Sequence, residues 1–323
     1  MLSRVADAIY WMNRYVERVR NMSRFMEVSL NLMLELPQDF TEQWEPMIKA
    51  VGDEHLFNRN YAKPSKETVA QYMTFDRFNP NSMMVCLEAA RENARSVREH
   101  ISTEVWRHLN NLYLTVREAS ANPDWSTENL FLLYDQIKQG CYLILGVSHA
   151  TLSHSDEWQF GRLGMFLERM DNMTRILDAK YYYLLPQSKS VANTFELIQW
   201  IAVLRSMGAY EMYLREYGLV DPIKIAEFLL LSSSFPSSIR FSLIQAQKAL
   251  HAITGNDRRS FKFPVEKALG RLKANLDYIE IQEIFEFGLH DYLNRIQSKG
   301  SDIGDLIFET FFILNPIPEA GQS

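Results

Sequence analysis

Two stretches of one chain carry the same pattern. Tyr10 to Glu27 reads YWMNRYVERVRNMSRFME and Gly161 to Asp178 reads GRLGMFLERMDNMTRILD, so Glu17, Arg18, Asn21, Met22 and Arg24 return as Glu168, Arg169, Asn172, Met173 and Arg175. With residues placed at about 100° steps around a helix, Ile9, Met12, Val16, Val19, Met26, Leu30 and Met33 form a near-heptad stripe. Trp11, Tyr15, Met22 and Phe25 widen it beyond half the circumference. A helix apolar over so much of its surface is buried. Glu17, Asn21 and Arg24, at i, i+4 and i+7, share the narrow arc that remains. The fold therefore has to bury two long helices, each with a carboxylate, an amide and a guanidinium on its polar arc.

The repetition extends past these helices. Trp44 and Trp200, Gly52 and Gly208, Tyr61 and Tyr217, Ser82 and Ser238, Leu87 and Leu243, and Asp135 and Asp291 all stand 156 positions apart. The motif helices are offset by 151 (168 less 17), which places an insertion after Pro186. This predicts an internal duplication: an all-α chain of two tandem helical bundles, residues 1–150 and 151–314, packed as one pseudo-symmetric unit, with residues 315–323 a flexible tail. With 13 Gly and 11 Pro in 323 residues, and no strand-length alternation, little room is left for a sheet.

Punctuation residues set the expected boundaries. A first helix from Met1 to Leu36 is stopped by Pro37, and a second runs from Thr41 to Val51. Asp53 to Pro64 reads as irregular, Ser65 opens KETVAQYMTF, and Asn79-Pro80-Asn81 makes a turn after which Asn81 or Ser82 caps a helix from Met83 to Ile101. EVWRHLNNLYLTVREA follows, then the turn Asn122-Pro123-Asp124 and a helix capped from Ser126. WIAVLRSMGAYEMYLREYG reads as one amphipathic helix carrying Arg205.

A net charge of −6 without a basic run gives a nucleic-acid binder little support. No apolar run approaches the ~18 residues of a membrane span. Arg4, Asp7 and Arg14 interrupt any signal-peptide core, and the two lone cysteines, Cys86 and Cys141, read as buried free thiols, so a cytoplasmic protein is expected. Nucleophile elbows, P-loops, dinucleotide fingerprints and HExxH are missing. In HATLSHSDEW, helix capping by Ser155 and Asp156 accounts for His149, His154 and Glu157 more simply than a metal does. No cofactor and no metal are expected.

Two polar constellations remain. Glu17 with Arg24, and Glu168 with Arg175, could meet across the pseudo-axis as a network that binds an anion, fixes the packing of the halves, or merely faces water. In ARENARSVRE, Arg91, Arg95 and Arg98 share one face, with Glu88, Glu92 and Glu99 within a turn to neutralise them. The second half has IQAQKAL there, so this positive face belongs to the first half alone.

Taken together, MLSRVADAIYWMNRYVER, FNPNSMMVCLEAARENARSVREHIS, DEWQFGRLGMFLERMDNMTRILD and LRSMGAYEMYLREYG, in that order over residues 1 to 312, resemble the bacterial alpha-E domain family. The resemblance implies an all-helical domain of no established activity, encoded beside or fused to a circularly permuted ATP-grasp ligase-like protein and often near a transglutaminase-like peptidase. It places the family's polar residues on Glu17, Arg18, Arg24, Asn79, Ser82, Arg91, Glu92, Asn93, Arg95, Arg98, Trp106, Asp156, Glu157, Trp158, Glu168, Arg169, Arg175 and Arg205, to which the helix pattern adds Asn21 and Asn172. Ser232, Ser237 and His154 depart from the family's pattern and weaken any site there. The function expected is a non-catalytic partner or substrate-holding component of an ATP-grasp peptide- or amide-forming system. The alternatives are an enzyme with Glu17 or Glu168 as a burial-raised general acid or base, and a structural oligomerisation module.

Overall fold

A computed structural model describes residues 2–35, 44, 48, 54–183, 192–256 and 260–313. The first motif stretch lies in α1 (Ser3–Glu35), and α2 (Glu54–Asn60), α3 (Lys66–Thr74), α4 (Met83–Ser96), α5 (Thr103–Ala121) and α6 (Thr127–Thr151) follow. The second motif stretch lies in α7 (Asp156–Tyr183). After it come α8 (Ala192–Ser206), α9 (Tyr210–Tyr217), α10 (Pro222–Leu231), α11 (Ile239–Thr254), α12 (Pro264–Tyr278), α13 (Ile281–Phe287) and α14 (Leu289–Ile307), which ends in a π turn at Phe308–Phe312. Among the described residues there is no strand, and no helix is long and apolar enough to cross a membrane.

α1 and α7 lie against each other at the centre. α4 and α6 pack on α1, while α11 and α14 pack on α7, with α5 outside the first pair and α12 outside the second. The apolar stripe of α1, including Val16, Val19, Met22 and Met26, is sealed, as are Leu163, Met170 and Met173 of α7. Among the described residues, buried apolar side chains of both halves join in one continuous core, and Leu32 and Ala202 form a small cluster beside it. Cys86 and Cys141 are buried free thiols within it.

Short hydroxyl and carboxylate side chains start the helices by accepting from an exposed backbone N–H. Ser65 caps α3, Ser82 caps α4, Ser126 caps α6, Asp221 caps α10 and Ser238 caps α11. Three expectations need correction. The stretch expected to be irregular holds α2, because Phe57 buries completely, stacks on Tyr61 and meets Tyr72 edge to face. α4 stops at Ser96, where Val97 leaves helical geometry before a 3₁₀ turn at Arg98–His100. The helix expected through Arg205 and Tyr217 breaks at Gly208, whose φ of +64° favours glycine. The helix expected over Thr41–Val51 lies outside the described residues except for Trp44 and Ile48, both buried, and the expected tail lies outside them altogether.

Candidate functional site

The polar arcs of α1 and α7 face each other because the helices cross with almost no side-chain spacing. A Cβ on Gly164 would come within 2.4 Å of the Tyr10 carbonyl oxygen, so only glycine allows this approach. Tyr10 lies beside Gly164, Asn13 beside Gly161, and Glu17 beside Arg169, so the two helices run in the same direction.

Each glutamate is gripped by the arginine that follows the other glutamate. Arg169 donates through Nε and Nη2 to Glu17 at 2.7 and 3.2 Å, and Arg18 donates through Nε and Nη2 to Glu168 at 2.6 and 3.0 Å. Asn21 and Asn172 donate to Glu17 and Glu168 from one turn on, both at 3.4 Å. The outer nitrogens of the arginines are held by matching turns: Arg18 Nη1 donates to Asn81 Oδ1 at 2.7 Å, and Arg169 Nη1 to the Pro236 carbonyl at 3.0 Å. A backbone oxygen holds Arg169, so Ser237 next to it does not loosen this arginine.

The third partners differ. Arg20 donates to Glu17 at 2.5 Å from the same helix, whereas Arg14 donates to Glu168 at 2.9 Å from the opposite one. Glu17 is 0% and Glu168 1% exposed. Burial alone would raise both carboxyls, but the arginines outweigh it: Arg169 and Arg20 hold Glu17 below the usual range, and Arg18 and Arg14 hold Glu168 at about 2. Both are therefore fixed anions at neutral pH. A sealed, ionised, fully paired glutamate cannot act as the burial-raised general acid or base considered from sequence.

Arg24 and Arg175 are not in this network. Arg24 stands 5.6 Å over the Tyr142 ring and fills the space beside Gly208, and burial pulls its pKa down to about 10. Arg175 is exposed and pairs with Asp171 in its own helix at 2.8 Å. The expected pairing of Glu17 with Arg24 and Glu168 with Arg175 is thus replaced by an exchange between neighbours in sequence.

On α4, Arg91 and Arg95 share Glu92, at 2.8 Å each. Arg98 lies 4.9 Å over the Trp106 ring, which also takes Arg91 at 5.6 Å. Glu88, expected to neutralise this row, pairs with Arg77 instead, and Glu99 stands near His100. Asn93 is half-buried on the same helix, its carbonyl accepting from Ser96. Arg205, exposed on α8, stacks on Tyr210 across the Gly208 break.

Two cavities flank the crossing. One of about 530 Å³ lies between α1, α6 and α7 and reaches from Arg169 to the HATLSHSDEW segment. There Glu157 accepts from Ser155 and stands 3.5 Å from His100, and His154 stacks on Trp158 at 3.8 Å. The other, of about 520 Å³, lies on the far side against α14, lined by Arg14, Arg18, Arg175 and Asp171.

A family model described as a predicted alpha-helical domain with a conserved ER motif matches residues 1–312. The chain belongs to the Alpha-E family. The ER dipeptide of that description is here Glu17-Arg18 and Glu168-Arg169, the four residues exchanged across the crossing. Uncharacterized proteins of Mycobacterium tuberculosis and Mycobacterium bovis are 23% identical over 330 residues, covering 95% of this Alpha-E chain. The chain spans only 36% of the length of these relatives. No solved structure matches it.

The Alpha-E clasp contains two arginines that the motif comparison passed over, Arg14 and Arg20. Both carried a signal: Arg14 stands one turn before Arg18 on the same face, and Arg20 stands at i+3 from Glu17. Arg162 and His100, which border the first cavity, had none, since neither belongs to a repeated pattern.

Proposed function

We propose that this Alpha-E chain is a non-catalytic component that holds a partner or substrate for an ATP-grasp peptide- or amide-forming ligase. One observation carries the reading: the arginine row of the first half shares a single carboxylate. Arg91 and Arg95 both pair with Glu92, Glu88 is drawn away to Arg77, Arg98 lies over the Trp106 ring, and Arg95 remains 65% exposed. An exposed surplus of guanidinium forks suits an acidic partner surface or a carboxylate or phosphate group.

The test is sedimentation velocity of this chain mixed with a circularly permuted ATP-grasp ligase-like protein from the same genome, with and without ATP and Mg²⁺. A stable complex is expected, and Arg95→Ala is expected to weaken it about tenfold while leaving the melting temperature unchanged, as for a rim charge. Independent sedimentation in every condition overturns the partner reading. The same proposal treats the halves as copies of one bundle. It is supported by the constant sequence offset and by the matching neighbours of α1 and α7.

A further inference from the structure

Arginine 162 sets the two cavities apart. In the cavity against α14 every lining arginine has a carboxylate: Arg14 and Arg18 have Glu168, and Arg175 has Asp171. In the cavity between α1, α6 and α7, Arg169 has Glu17, but among the described residues no carboxylate pairs with Arg162. Its Nη2 donates to Gln245 at 2.6 Å, and its guanidinium lies 4.6 Å over Trp158 and 5.4 Å over Phe166. Burial shifts its pKa down, as expected of a cation without a counter-charge.

The surroundings add positive charge. Tyr142 forms one wall, and Arg20 and Arg24 stand behind its ring at 5.6 Å each. Arg20 and Arg169 share Glu17, while nearby Glu27 pairs with Lys138. The rest of the lining is mainly apolar, from Ile9, Met12, Leu145, Leu152 and Met165, with polar groups from Asn13, Ser148, His100 and the carboxylate Glu157. Tyr142, Gly146 and His149 are exposed at the mouth. A volume of this size, apolar with a few convergent polar groups, is that of a small-molecule site.

We propose that this cavity binds a small amphipathic carboxylate, with its carboxylate on Arg162 and its apolar or aromatic body between Met12, Leu145 and Phe166. The planar guanidinium fork matches a carboxylate, and the apolar walls need a body that a bare anion lacks. The assignment stands apart from the ligase reading: a chain that forms no complex with a ligase could still fill this cavity, and the reverse.

The experiment is isothermal titration calorimetry of the full chain with 4-phenylbutyrate, 4-phenylbutanol and acetate. The acid is expected to bind at least about tenfold more tightly than the alcohol, and acetate not to bind. Arg162→Gln is expected to bring the acid to the affinity of the alcohol and leave the alcohol unchanged. Gly146→Leu fills the mouth from a position where a Cβ meets nothing within 4 Å, and is expected to weaken both aromatic ligands. Because leucine also favours the helix over glycine, that variant should fold, and circular dichroism melts of both variants verify it. Equal affinity for acid and alcohol, no binding of the acid up to about 10 mM, or binding untouched by Gly146→Leu overturns the proposal.

Discussion

Glu168 sits between Arg18 and Arg14 with almost no water in reach, so deleting its charge leaves two guanidiniums facing each other inside the protein. Breaking one side of such a buried set costs about 3–5 kcal/mol. Urea denaturation should show Glu168→Gln, and likewise Glu17→Gln, destabilised on that scale, while Arg175→Ala, an exposed within-helix pair, changes stability by under about 1 kcal/mol. The same geometry sets a pH dependence. Glu168 is held at about 2 in the folded chain, against 4.5 for a free glutamate. A depressed folded pKa contributes stability that is present above the unfolded value and lost as pH falls through the folded one. Denaturation midpoints measured between pH 4.5 and 2 should therefore fall steeply in the wild-type chain and less steeply in Glu168→Gln. Equal slopes would count against the clasp as the acid-sensitive element.

The helix crossing depends on backbone rather than on side chains. Gly164→Ala pushes a Cβ against the Tyr10 carbonyl and should cost about 1–3 kcal/mol, as overpacking does. Gly304→Ala, with nothing within 4 Å, should be neutral or stabilising by up to about 1 kcal/mol from helix propensity alone. Thermal melts of the two variants decide whether the crossing is as close as described. Capping residues such as Ser65, Ser82 and Ser126 made several helix starts of the first half legible in the sequence, because each cap is a local contact. The partners of Glu17 and Glu168 were not legible. Periodicity shows which residues share a face, whereas pairing depends on height along the axis, and α1 and α7 run in the same direction. Arg24 stands seven residues beyond Glu17, about 10 Å further along, and Arg175 stands equally far beyond Glu168. The adjacent arginines are level with the opposite glutamates, and Arg14, one turn before Arg18, reaches Glu168 as well. Gly208 was similarly opaque: its break accommodates Arg24 from a distant helix.

For the molecule as a whole, the clasp and the cavities differ in how sequence encodes them. The clasp is written twice, as two ER dipeptides, so repetition drew attention to it. The cavity between α1, α6 and α7 arises from the way three helices diverge, and Arg162 has no counterpart that would have marked it. The exchange also constrains what a half can do alone. Residues 1–150 without α7 present Glu17 and Arg18 with neither Arg169 nor Glu168 to meet. Another copy of the same half carries a glutamate and an arginine at the right heights, but it has Asn13 where Gly164 admits the Tyr10 carbonyl. A fragment of residues 1–150 should therefore sediment as a monomer, and Asn13→Gly in that fragment should promote pairing by restoring the close approach. The two amino acids of the clasp are thus a recognition code that is read only across a glycine, and the half that lacks the glycine must find its complement in the half that has it.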